Sequence, residues 1–298
     1  MSSLTQYLFT LEEPYALTRS LGEIVLCRDA DGRVQYSVGN AAIVFRIRHN
    51  GTVKALRCYR RTMSRLKMIY GKELLEEELF LFTSNEQGVW VDVVLTDWIE
   101  GIDLRTAIDR AARNHDQAQL TLLSEGFDQL AAALLADDWA HGDLKPENII
   151  LTPQGRLQLI DRDGCFLPSM RGMQAIEVGT PSYQHPTRSE ADFDERIDDY
   201  PAALIATALH ALQLDPTLYD RFGARDGLLF TPRTIGSDAA YQEAMAVLRK
   251  ANHPAWIAMG EMLTAPTLRL PHLAALFAAC APRSTEEIRD SDQFGFDF

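Results

Sequence analysis

Between Trp139 and Gly164 the chain reads WAHGDLKPENIILTPQGRLQLIDRDG. His141, Asp143, Lys145 and Asn148 fall within one short polar loop, and Asp161 and Asp163 follow thirteen and fifteen residues after the asparagine. Carboxylates and an amide oxygen are hard donors of the kind Mg²⁺ takes together with substrate phosphates. Asp143 is suited to orient a hydroxyl nucleophile and accept its proton. Lys145, two residues on, would set positive charge beside a transferring phosphoryl group. This chemistry requires Asp143, Asn148 and Asp161 to converge on one cation.

The flanking sequence supplies a means. IILT and RLQLI are apolar runs on either side of the turn residues PQG, so a hairpin is expected, and it would return Asp161 to the neighbourhood of Asn148. Upstream, the first hundred residues read as strands. GEIVLCRDADGRVQYSVGN gives two around DADG, and AIVFRIRHNGTVKALRCY gives two around HNGT. ELFLFTSNEQGVWVDVVL gives a hairpin over SNEQG. Met63, Leu66, Ile69 and Tyr70 repeat at helical spacing between them. After Gly101 the chain turns helical: LRTAIDRAARN and LTLLSEGFDQLAAALLADDWA lead into the loop. YPAALIATALHAL, SDAAYQEAMAVLRKA, PAWIAMGEML and LPHLAALFAAC follow it, the second of these with Ser237 as its expected cap. The fold class expected is α+β, a small antiparallel β-rich lobe before a larger helical one.

HGDLKPENI resembles the catalytic loop of the protein kinase superfamily, with DRDG in the place of the metal-binding Asp-Phe-Gly. The similarity extends over roughly residues 20 to 285. GTPSYQHP resembles the close of an activation loop, Asp199 stands where the family's buried helix begins, and VVLTDWIEGIDL is similar to the hinge between lobes. The resemblance implies a two-lobed kinase-like fold. Residues 1–20 would be an N-terminal extension, 21–96 the small lobe, 97–103 the hinge, 104–283 the large lobe and 284–298 an acidic tail. It further implies ATP and Mg²⁺ as cofactors, Asp143 and Lys145 as catalytic residues, and Asn148 and Asp161 as metal ligands. Nucleotide contacts would come from Gly39 in SVGNAAIV, Arg57, Thr96 at the back wall, the backbone of Asp97 to Ile99, and Asp103 toward the ribose.

Several positions depart from the family pattern. Arg57 takes the place of the phosphate-gripping lysine, and a planar guanidinium is not an ammonium. Lys54 lies three residues away and so on the opposite face of a strand. Among Glu73, Glu76, Glu77 and Glu78, Glu76 has the best spacing for the lysine's helix-borne partner, while a solvated acidic turn accounts better for most of the cluster. Gly142 replaces the arginine that would clamp a phosphorylated activation loop. Thr187 replaces the glutamate that would pair with Arg269. Three functions are therefore weighed: a Ser/Thr protein kinase, a pseudokinase scaffold, and a small-molecule phosphotransferase of the aminoglycoside or choline kinase type. The DLKPEN form favours the first over the third.

Composition narrows the partners. The 298 residues carry a net charge of −13, against a phosphate-backbone partner. The basic run RCYRRTMSRLK reads as well as a solvated helix face as it does as a patch. Four cysteines at 27, 58, 165 and 280 have neither disulfide-framework nor zinc spacing. MSSLTQYLFTLEEP lacks the form of a signal peptide, and PAALIATALHALQL is too short to cross a bilayer. A reduced cytoplasmic protein, acting on a protein substrate or partner and not on nucleic acid or membrane, is expected.

Overall fold

Asn50 and Gly51 both take positive φ, 48° and 80°, the mirror-image turn whose twist matches that of paired strands. They join β3 (Ala42–His49) to β4 (Thr52–Tyr59), the centre of an antiparallel sheet. β1 (Ile24–Leu26) and β2 (Tyr36–Val38) both pair with β3, while β6 (Gln87–Asp97) pairs with β4 and β5 (Leu74–Ser84) with β6. The computed structural model describes residues 2–12, 17–84, 87–223 and 226–280. It divides into two compact units between Ile99 and Glu100. The acidic tail and the tip of the SNEQG turn lie outside the described residues.

In the first unit Ile43, Phe45, Ile47, Leu56, Cys58, Leu79, Leu81 and Val93 form the apolar face of the sheet, and α1 (Leu4–Glu12) covers it with Tyr7 and Leu11. Each large side chain so buried contributes about 1.5–3 kcal/mol. Residues 4–12 are therefore part of this unit's core and not an appendage to it. The Tyr7 hydroxyl donates to the Tyr59 carbonyl. The expected helix shrinks to α2 (Leu66–Tyr70), after which a 3₁₀ turn, Gly71–Glu73, leads directly into β5.

The second unit is helical, with a small sheet of β7 (Ile102–Asp103), β8 (Ile149–Leu151) and β9 (Leu157–Leu159). α3 (Leu104–Arg113) and α4 (Gln117–Ala136) precede the polar loop. α5 (Asp199–Leu214) is buried from Asp199 through Gln213, as an apolar run without a polar face must be. α4, α7 (Ala239–Ala251) and α8 (Pro254–Met262) pack on it, with α6 (Thr217–Phe222) and α9 (Leu273–Cys280) completing the unit. His210 Nε2 of α5 lies 3.0 Å from both oxygens of Asp128 on α4, while its Nδ1 is buried without a hydrogen-bond partner among the described residues. Asp238, and not Ser237, caps α7 through a 2.7 Å bond from the Ala240 amide. The described helices include none long and apolar enough to cross a membrane. The four cysteines are free thiols.

Candidate active site

The polar loop is fixed by its neighbours before any of its own side chains act. β8 and β9 form the expected hairpin, with Ile149 opposite Leu159 and Gly155 at φ 80° in the turn. Beyond β9, the Ile160 amide donates to the Asn148 carbonyl at 2.9 Å, and the Ile160 carbonyl lies 2.8 Å from His141 Nε2. Ala140 and Phe166 exchange both backbone hydrogen bonds, at 3.1 and 2.8 Å. The loop and the Asp161–Gly164 turn are thus tied together on both sides. Asp161 follows a residue whose two backbone groups are both committed to the loop, and it takes a left-handed conformation, φ 66° and ψ 67°.

Within this frame Lys145 Nζ lies 2.9 Å from Asp143 Oδ2 and 2.9 Å from Thr180 Oγ1. The Thr180 amide donates to Asp143 Oδ1 at 2.6 Å. Asn148 Nδ2 donates to the Asp143 carbonyl at 2.9 Å and to its Oδ2 at 3.3 Å. Burial of Asp143 opposes ionisation. The Lys145 charge and the hydrogen bonds from Lys145 and Thr180 outweigh it and hold the carboxyl below its ordinary value. Asp143 is therefore an ionised acceptor with a fixed orientation. Commitment of the Asn148 NH₂ to Asp143 leaves its oxygen as the donor available to a cation. Among the described residues no three His, Cys, Asp or Glu side chains form a cation cage. A metal at Asn148 and Asp161 would complete its shell with water or substrate oxygens, the habit of Mg²⁺.

The loop's backbone rests on Asp198. This fully buried carboxylate accepts from the His141 amide and, at 3.0 Å, from the Gly142 amide. Asp199, which the resemblance places at the start of the buried helix, accepts from Arg196 and from the Leu270 amide at 2.8 Å. The adjacent acids at the start of α5 therefore divide two anchoring tasks. Gly142 has φ 80°, and a Cβ there would come within 2.1 Å of the Gly164 carbonyl oxygen. Gly179, φ 76°, leaves room for Asp143 and Gln184 in the same way. Cys165, just past the turn, is no nucleophile, since burial pushes its thiol up to about 12.

Comparison with known proteins points the same way. The chain is 41% identical over 103 residues to the serine/threonine-protein kinase PkaB of Streptomyces coelicolor, covering 31% of this chain and 24% of that one. It is 28% identical over 164 residues to a protein named "Probable cAMP-dependent protein kinase catalytic subunit" from Encephalitozoon cuniculi, covering 53% and 47%. No family model matches. Over part of its length, the chain is related to Ser/Thr protein kinases. It spans about a quarter and about half of the length of these two relatives.

The kinase-like positions in the first unit are placed less tightly. Strand register puts Val44, Arg57 and Val94 in one row and Arg46, Ala55 and Thr96 in the next. All six lie on the face opposite the α1 core. Arg57 and Thr96 therefore share a face, and Arg57 is half-buried there. Lys54 points to the other face, where its Nζ pairs with Asp97. That removes it as a replacement for Arg57. Asp97 ends β6, and Ile99 is half-buried two residues later. Gly39 closes a hairpin whose tip is Asn40 and Ala41, its amide 2.8 Å from the Ala42 carbonyl. A Cβ at Gly39 would meet only the Ala42 carbonyl oxygen, at 3.4 Å. Asp103 caps α3, with both oxygens 2.8 Å from Thr106. Glu76 is not on a helix: it lies in β5 and pairs with Lys67. Thr180 and Asp198 are the two site residues that the sequence reading did not single out. Thr180 was within reach of it, inside GTPSYQHP.

Proposed function

We propose that this chain transfers the γ-phosphoryl group of ATP to a Ser or Thr hydroxyl of a protein. The observation that carries the reading is the Lys145 ammonium shared between Asp143 and Thr180, beside an Asn148 amide tied to Asp143. Asp143 takes the hydroxyl's hydrogen bond and proton, and its low proton affinity makes orientation its main contribution. Lys145 neutralises charge on the oxygens being transferred, and Thr180 keeps it there. Asn148 and Asp161 supply oxygen donors to Mg²⁺. When bound, the metal neutralises phosphate charge. Arg57, Thr96, the Asp97–Ile99 backbone, Asp103 and Gly39 are the proposed nucleotide contacts. The net charge of −13 favours basic substrates through long-range attraction.

A scaffold without turnover is the second reading. It is favoured by the two-residue tip at Gly39 and by the absence of a glutamate on α2. Transfer of label from γ-labelled ATP to the chain itself or to a generic basic protein decides between them. Mg²⁺-dependent transfer that Asp143→Asn lowers by on the order of 10²–10⁴-fold supports catalysis. Thermal stabilisation by ATP with no transfer dependent on Asp143 supports the scaffold. Consumption of ATP only with an aminoglycoside or amino alcohol would reject a protein substrate.

A further inference from the structure

Residues 28–34 take no part in the chemistry above. β1 and β2 lie along β3 as two halves of one strand, Leu26 opposite Ile47 and Tyr36 opposite Phe45. Arg46, the β3 residue between those registers, bonds to both halves. Its carbonyl accepts from the Cys27 amide at 2.9 Å, and its amide donates to the Gln35 carbonyl at 3.0 Å. The Gln35 amide closes the gap onto the Cys27 carbonyl at 2.9 Å. Residues 28–34 therefore leave the sheet as a small hairpin. Arg28 bridges to Val34, the Asp29 amide donates to the Arg33 carbonyl at 2.9 Å, and Gly32 turns the chain at φ 79°. Val34 packs against the core and anchors the stem.

At the root of this hairpin lies a cavity of about 520 Å³, with Arg28, Arg46 and Arg48 in its wall beside Val25, Val53 and Asp29. That volume suits a metabolite-sized ligand. Arg48 stands in one row with Val25 and Val53, and Arg46 lies two residues along β3, on the same face. Among the described residues the Arg48 side chain makes one hydrogen bond, 3.4 Å to the Gly51 carbonyl, and no ion pair. Arg46 Nη1 lies 3.3 Å from Gln35 Oε1, and its guanidinium is 5.3 Å from the centre of the Trp98 ring. Arg28 pairs with Glu12 at 3.0 Å, an exposed contact of little worth. The Asp29 Oδ1 is occupied by the amides of Asp31 and Arg33, both at 2.9 Å.

Three arginines at one cavity run against a chain whose net charge is −13. Their mutual repulsion disfavours the cluster unless an anion relieves it. We propose that this cavity binds a small phosphate monoester. The Arg28, Arg46 and Arg48 forks take the phosphate oxygens, a geometry that guanidinium groups match well. The body of the ligand rests on Val25 and Val53; Val25 is 52% exposed and otherwise uncovered apolar surface. None of the proposed nucleotide contacts lines the cavity. Arg57 stands four residues beyond Val53 along β4, about 13 Å away.

Ribose 5-phosphate is the probe, titrated into the full chain by calorimetry while backbone amides are followed by ¹H–¹⁵N NMR. Saturable binding is expected, with the largest shifts at Cys27, Gln35 and Arg48. Arg28→Gln and Arg48→Gln should each weaken it on the order of 10-fold. Arg33→Gln removes a charge from the same hairpin, but Arg33 lies outside the cavity and pairs with Asp31 at 3.3 Å. That variant should keep the wild-type affinity. A loss as large as that of Arg48→Gln would reduce the effect to diffuse attraction and overturns the proposal. No saturable binding overturns it too, as does equal affinity for succinate, which carries a similar charge without phosphate. Adenosine has no phosphate and should not displace the probe; displacement would assign the binding to the nucleotide cleft and reject the separate site. Arg28 and Arg48 are exposed, so their variants should fold. If Arg48→Gln does not, wild-type shifts centred away from residues 25–53 reject the site, and shifts centred there support it. Phosphotransfer enters no arm, so a failure of the proposed function leaves this test intact.

Discussion

Gly142 and Gly155 share a φ of 80° and differ in what surrounds them: nothing lies within 4 Å of a Cβ built on Gly155, whereas one on Gly142 meets the Gly164 carbonyl. The left-handed backbone alone costs a residue bearing a Cβ about 1–2 kcal/mol. Gly155→Ala should cost that much in urea unfolding. Gly142→Ala should cost clearly more and lose the proposed phosphotransfer, because either the loop or the Asp161–Gly164 turn must shift. Equal losses would mean that the close approach is not a constraint. The glycine was visible in the sequence only as a missing arginine. That Asp143, Lys145 and Asn148 would meet was legible because their complementary polar groups fall within one short loop. Asp198 was not, since adjacent aspartates at a helix start look alike until one of them turns toward the loop.

Element boundaries account for the misread acidic cluster. The pattern through Tyr70 is helical, yet β5 begins at Leu74 and carries Glu76, Glu77 and Glu78 as strand residues. Glu77, at φ 49°, sits in the bulge between Leu75 and Leu79, which an alternation rule cannot see because the extra residue resets the faces. As a result Glu78 is 2% exposed. Its Oε1 accepts from the amides of Arg19, Ser20 and Leu21 at 3.1, 2.8 and 2.8 Å, and Oε2 from the Ser20 hydroxyl at 2.5 Å. It fastens the segment after α1 to the sheet. Glu78→Ala orphans those donors and should destabilise by about 3 kcal/mol or more in chemical unfolding. Glu76→Ala removes an exposed pair with Lys67 and should cost about 0–1 kcal/mol, without change in the proposed ATP binding. A large loss of ATP affinity in Glu76→Ala would restore it as the nucleotide-site glutamate.

Across the whole chain, acid groups pull stability in opposite directions with pH. Arg269, whose expected glutamate partner is replaced by Thr187, binds Asp192 at 3.3 Å and Asp194 at 2.9 and 2.5 Å. Burial, the largest single influence on Asp192, raises its carboxyl, but the Ser189 hydrogen bonds and Arg269 together bring it below its ordinary 3.8. A lowered carboxyl contributes stability above 3.8 and loses it as pH falls through its folded value. Burial raises Asp198 and Asp199, so each contributes fully below 3.8 and loses that contribution as pH rises through its folded value. Self-repulsion from the net −13 also grows with pH. The wild-type curve alone therefore cannot assign a slope to one residue, whereas its difference from Asp192→Asn can. Measured by urea unfolding at constant ionic strength, that difference should be flat from about pH 7 to about pH 5 and close between about pH 5 and about pH 3. The Asp194 pair remains in both proteins and cancels to first order. A difference that widens in acid would mean that Asp192 is protonated in the fold, and that Arg269 holds this corner through Asp194 alone.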